Sequence, residues 1–213
     1  MVDPHNPATP PRRRRSDARR SIDAILNAAR IVLGERYDAS MEDIAATAGV
    51  TRQTVYAHFP SRDALVAALV EVAAAEYCAL LDAAGLDSAP PAEALAGFLD
   101  AGWRFLGRYP VLLNATAARL PRPASDPHDI VPPRLERLIR RGQQTGDFDP
   151  ALSAAWLAAA VLGLMHTAVA EVTAGRVTTG QAEELCLEST LRLCGAKAPR
   201  RALSGTSRPA RGA

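Results

Sequence analysis

The stretch Ser40–Arg62, SMEDIAATAGVTRQTVYAHFPSR, decides the reading of this chain. Ser40 can cap a helix, and Asp43 three residues on forms an acidic version of the capping box. Ile44, Ala45 and Ala48 then give a small apolar face. Gly49 is the residue best suited to leaving a helix in the left-handed region. Thr51 can cap a second helix, Arg52 to Phe59, which Pro60 stops; Ser61 caps the next. Two short helices joined by so tight a turn form a helix–turn–helix, whose second helix enters a DNA major groove. Arg52, Gln53 and Thr54 stand at its leading end. Arginine pairs bidentately with guanine and glutamine with adenine. Tyr56 and His58 can donate to phosphate oxygens, while Val55 and Phe59, four apart, face inward. Spacing alone equally allows a surface helical hairpin with a polar outer face.

Working outward, Ile22, Ile25, Leu26, Ala29, Val32 and Leu33 recur at helical spacing and predict a first helix starting at Ser16 or Asp17. Residues 1–15 read as a disordered arm ending in Arg12–Arg15. It either lies along DNA phosphates or a minor groove, or is a solvated tail. On the other side, Arg62 to about Ala84 reads as a long helix with Leu65, Leu69, Val72, Ala73, Glu76 and Leu80 on its buried side. Further helices are expected at Glu93–Arg108, Val111–Leu120, from Pro132 or Pro133 to Gln144, at Ala151–Thr173 and at Gln181–Leu193. Residues 121–131 read as a loop. Residues 195–213 are rich in Arg, Pro, Ser and Gly and read as a disordered tail.

The segment IAATAGVTRQTVYAHFPSRDAL resembles the signature of the TetR family of bacterial transcriptional regulators. It shares the Ile-Ala pair, Ala-Gly-Val, Thr-Val-Tyr-x-His-Phe and a Ser-Arg-x-x-Leu opening, over roughly Ala28–Leu69. The resemblance implies an all-α homodimer with an N-terminal three-helix DNA-binding domain (16–61) and a C-terminal helical-bundle domain for ligand binding and dimerisation (62–194). It further implies Arg52, Gln53 and Thr54 as base readers, and Ser40, Thr51, Tyr56, His58 and Arg62 as phosphate contacts. Two departures stand out. Arg62 occupies a position usually held by lysine, and the turn Arg36–Ala39 is one residue shorter than usual and lacks its common glycine.

Composition agrees with the all-α reading. Of the 213 residues, 48% are hydrophobic but only 5% aromatic, and much of the apolar share is alanine, a helix former. The net charge of +2 excludes a polycation, so basic residues act through placement. Cys78, Cys186 and Cys194 are too few and scattered for a disulfide framework or zinc site, and read as packing residues. Asp126, His128 and Asp129 have no metal-ligand spacing and read as a solvated loop; no metal or cofactor is expected. The helix from Ala151 carries no charge through Ala170. Its alanine content and Ser153, His166 and Thr167 favour an interfacial helix over a membrane span, and a cytoplasmic address follows. Small Ala155, Ala159 and Gly163 would admit another helix closely. An effector pocket is expected from Phe98, Trp103, Phe105, Asn114, Trp156, Met165 and His166, with a mostly hydrophobic ligand.

The function read from this is a ligand-responsive homodimeric repressor on palindromic DNA. The alternative is an activator or an effector-independent regulator. A helical-bundle enzyme lacks both a nucleophile–base pair and a Glu-x-x-His motif.

Overall fold

The computed structural model describes residues 11–113 and 127–196. They form eight α-helices and one 3-10 turn, with no strand among the described residues: α1 (Pro11–Glu35), α2 (Met41–Ala48), α3 (Arg52–His58), α4 (Arg62–Ala83), α5 (Pro91–Arg108), the 3-10 turn Pro110–Leu113, α6 (Pro127–Thr145), α7 (Ala154–Thr173) and α8 (Thr179–Leu193). The chain divides into two compact units. One comprises Met1–Ala83 with Ala101–Ile130, the other Ala84–Asp100 with Val131–Ala213.

The first unit is built on α1. Ile25, Ala29 and Leu33 are fully buried, with Leu26 and Val32 nearly so, against Ile44 of α2, Val55 of α3 and Leu65 and Leu69 of α4 in the same core. The helix starts five residues before the expected point and takes in Arg12–Arg15. Pro11 stands first, where a missing N–H has no helical partner to lose. The expected disordered arm is therefore helical from Pro11. The tract Pro110–Leu113 closes on α1: the Pro110 ring lies 3.6 Å from where a Cβ on Gly34 would sit. Arg30 Nη1 donates to the Arg108 carbonyl at 3.0 Å, so an α1 guanidinium caps the end of α5. Beside it, Glu76 of α4 accepts from Tyr109 Oη and pairs with Arg108 Nε at 2.6 Å. Tyr77 stacks on Phe105 at 4.3 Å, and burial pushes its hydroxyl up to about 12.

The buried side of α4 is two adjacent rows, Leu65-Leu69-Ala73 and Val66-Val70-Ala74-Tyr77-Leu81. Val72, expected inside, is 45% exposed, and Glu76 and Leu80 are half-buried. The helix is apolar nearly all round, so hydrophobicity alone did not identify the inner face.

In the second unit, Leu135, Leu138 and Ile139 of α6, Phe98 and Leu95 of α5, and Leu157 and Val161 of α7 form the core. Helix α6 begins at Pro127, not at Pro132 or Pro133, which lie inside it. The loop expected at 121–131 is therefore helical from Pro127, and residues 121–126 lie outside the described residues. Proline forfeits a ladder hydrogen bond but fits helical φ, and here the helix runs through the pair. Arg141 donates to the carbonyls of Leu86 and Ala89 at 2.8 and 2.7 Å, holding the connection into α5. The α6 C-terminus closes with Gly146 at φ +77°, Gly146 N donating to Gln143 O and Asp147 N to Gly142 O, which satisfies carbonyls the helix leaves open. Cys186 and Cys194 are buried thiols; burial pushes Cys194 up to about 11, so it stays protonated and inert. By length and composition α4 and α7 are apolar enough to cross a membrane, yet Glu71 and Glu76 interrupt α4.

Candidate nucleic-acid interface

Ser40 is a complete capping box. Its hydroxyl accepts from Asp43 N at 3.2 Å, and Asp43 Oδ2 accepts from Ser40 N at 2.9 Å and from Ser40 Oγ at 2.8 Å. These bonds, the backbone one foremost, hold the Asp43 carboxyl below the ordinary aspartate value of 3.8, with Arg36 adding its charge. Because the folded value is the lower one, the stabilisation is present above 3.8 and is lost as pH falls through the folded value. Acidification below about pH 4 is therefore expected to lower the melting midpoint of the first unit, and Asp43→Asn to flatten that dependence. Circular dichroism melts across pH 3–6 for both proteins would check it.

Helix α2 ends at Gly49, φ +67°, with Val50 N donating to Ala45 O. Only glycine adopts that backbone without strain, and the turn it makes delivers Thr51 as cap of α3. Thr51 Oγ1 accepts from Thr54 N at 3.1 Å and lies 2.8 Å from Thr54 Oγ1. Val55 is fully buried and Phe59 is 7% exposed, so these two anchor α3 to the core as their spacing predicts. The opposite face presents Arg52, Gln53 and Tyr56 to solvent, with Thr54 and His58 half-buried.

Two arginines are held by partners that spacing does not reveal. Arg52 pairs with Glu42 of α2, and its guanidinium lies over the Tyr56 ring, 5.4 Å from the centroid. Arg62 donates to the Tyr37 carbonyl and lies over the Tyr37 ring at 4.9 Å. The short turn before Ser40 is thus latched by Arg62, while Arg36 reaches Asp43 at 3.5 Å. No residue in that turn needs positive φ, which accounts for its lack of glycine. Arg62, expected at a phosphate, is half-buried in this latch; Ser40, also expected there, is exposed, with its hydroxyl engaged in the cap.

Residues 25–69 match the model of bacterial regulatory proteins of the tetR family. That segment, the head of the chain, is a tetR-family regulatory domain. None of the curated proteins matches the chain in sequence. Solved structures match it in fold. A TetR-family regulator from Rhodococcus sp. superposes with a TM-score of 0.64 at 19% identity, over 83% of this chain and 99% of that one. The regulator PfmR from Thermus thermophilus gives 0.62 at 23%, over 82% and 99%. The regulator LfrR from Mycobacterium smegmatis, solved with proflavine, gives 0.58 at 24%, over 80% and 95%. The likeness of fold to these three structures covers 80–83% of the chain, well beyond residues 25–69.

The expected pocket residues fall in both units. Phe98 and Met165 are buried in the second unit; Trp103 and Phe105 belong to the first, and the buried Trp103 indole N–H has no acceptor among the described residues. Trp156 is 63% exposed and His166 also faces solvent on α7. Asn114 lies outside the described residues, as does Asp126. A surface groove of about 260 Å³ is lined by Val177, Gln181, Glu184, Leu185 and Glu188, none of them expected at a pocket.

Proposed function

We propose that the protein is a homodimeric, ligand-responsive repressor that binds a palindromic operator and is released by a small, mostly hydrophobic effector. The observation that carries the reading is α3: a capped, core-anchored helix with Arg52, Gln53 and Tyr56 on its free face, inside a segment matching the tetR-family model. Two such helices, one per subunit, would enter major grooves about 34 Å apart. Arg52, Gln53 and Thr54 read bases, and Thr51, Tyr56 and His58 touch phosphates.

The dimer is supported by α7 and α8. Trp156, Leu185 and Leu152 are 63%, 54% and 45% exposed, and Ala155, Ala159 and Gly163 form a small-residue stripe open to solvent. Only 28% of the apolar window of α7 is buried within one chain. Large apolar side chains left exposed beside an open small-residue stripe mark a partner interface. The 62–194 region serves as the sensing and dimerisation part, and the likeness in fold to a regulator solved with the planar aromatic dye proflavine supports an aromatic-sized effector. Effector binding lowers operator affinity by its differential affinity for the two dimer states. The protein works in the cytoplasm.

Selection of bound sequences from a random duplex pool tests the reading: a two-fold symmetric motif is expected, and no enrichment would overturn it. Against that motif, Arg52→Ala is expected to cost about 1–3 kcal/mol and relax the choice at one base. Tyr56→Phe should weaken all sequences alike. Mobility-shift titrations on single-base variants separate the two patterns.

A further inference from the structure

We infer that Glu42 is a positioning residue for DNA reading, its carboxylate holding the Arg52 guanidinium so that it discriminates one base. This rests on the proposed role of Arg52 as a base reader.

The arrangement spans two helices. Glu42 lies in the first turn of α2, where a carboxylate is favoured by the helix dipole. Arg52 opens α3, ten residues later, and its Nη1 donates to Glu42 Oε1. Tyr56, one turn along α3, lies under the same guanidinium at 5.4 Å. The side chains of Arg52 and Glu42 are 60% and 63% exposed. The pair therefore adds little to stability, since exposed ion pairs are screened and entropically costly. Its consequence lies in order rather than energy. A free arginine samples many rotamers and can donate to any nearby acceptor, phosphate oxygens included. One whose Nη1 is already engaged, with an aromatic ring against its face, has fewer. A guanidinium carries five N–H donors in a planar fork. With one Nη1 hydrogen on Glu42, four donors remain, and two of them suffice for the O6 and N7 of a guanine. Glu42 also repels phosphate, which lowers affinity for every sequence.

Charge and order thus act in opposite directions on general and selective binding, and that opposition makes the role testable. Glu42→Ala removes both the charge and the Oε1 acceptor without touching the capping box, which belongs to Asp43. The experiment compares wild type, Glu42→Ala and Arg52→Ala, each by sequence selection and by titration on the selected duplex and a scrambled one. Melting curves confirm that all three fold. Glu42→Ala is expected to bind the scrambled duplex more tightly and to lose about two- to tenfold of its preference at the base whose choice Arg52→Ala abolishes. That range corresponds to releasing one otherwise ordered side chain. If Glu42→Ala raises affinity for all sequences and leaves the preference unchanged, Glu42 is merely a repulsive charge and the inference fails. If Arg52→Ala itself changes no base preference, the failure lies in the base-reading assignment, and the two are thereby told apart.

Discussion

Placing glutamate at Trp156 and Leu185 together is expected to leave the protein as a single subunit and to lower its affinity for a two-half-site operator by about 10²- to 10⁴-fold. These two side chains are the most exposed large apolar groups described, at 63% and 54%. Burying each against a partner is worth about 1.5–3 kcal/mol by area. In a two-fold interface the same patch faces itself, so each change is made twice and the introduced carboxylates confront apolar surface and one another. The one reading helix of each subunit is untouched, so affinity for one isolated half-site should stay as it was. What disappears is the second contact's effective concentration. Analytical ultracentrifugation, with titrations on whole and half operators, checks both parts. A double variant that remains a dimer would remove α7 and α8 from the interface.

The second large effect concerns folding of the second unit. Phe148→Ala is expected to destabilise it by about 3–5 kcal/mol. Phe148 is 2% exposed, and its backbone N–H donates to Gly142 O at 3.0 Å, fixing the turn between α6 and α7. Gln143 Nε2 holds the same turn through the carbonyls of Asp149 and Leu152 at 3.0 and 2.8 Å. The ring occupies the space that Gly142 leaves free. A Cβ there would lie 2.5 Å from Phe148 Cε2 and 2.8 Å from Cγ, and closer still to Cδ2. Gly142→Ala should therefore destabilise by about 1–3 kcal/mol through overpacking, outweighing a helix-propensity gain of about 1 kcal/mol. In Gly142→Ala/Phe148→Ala the methyl enters the vacated space. The double variant should then be less destabilised than the sum of the singles, a coupling that urea denaturation of the four proteins measures directly.

Much of the head is legible without coordinates, because its determinants are local. A serine or threonine three residues ahead of the N–H it accepts, a glycine at the only backbone geometry that reverses the chain, and apolar residues four apart act within one or two turns. Ser40, Gly49, Thr51, Val55 and Phe59 all take the positions that logic assigns. It is weaker where local preferences conflict. The prolines at 132 and 133 look like a helix start yet lie inside α6, and Pro11 looks like part of a tail yet opens α1. A proline is compatible with helical φ; only its surroundings decide whether the lost hydrogen bond is tolerated.

The sequence by itself determined that the chain is helical, where the turn between α2 and α3 falls, and which side of α3 is anchored. These follow from propensity, capping and periodicity, which depend on neighbours along the chain. Tertiary structure alone decided that Arg52 meets Glu42, that Arg62 latches the Tyr37 carbonyl, and that Trp156 and His166 face outward from α7. Each of those depends on the angle at which helices cross and on which side of a nearly all-apolar helix turns inward. An alanine-rich helix offers too little contrast between its faces for periodicity to settle that, so packing against the other helices does.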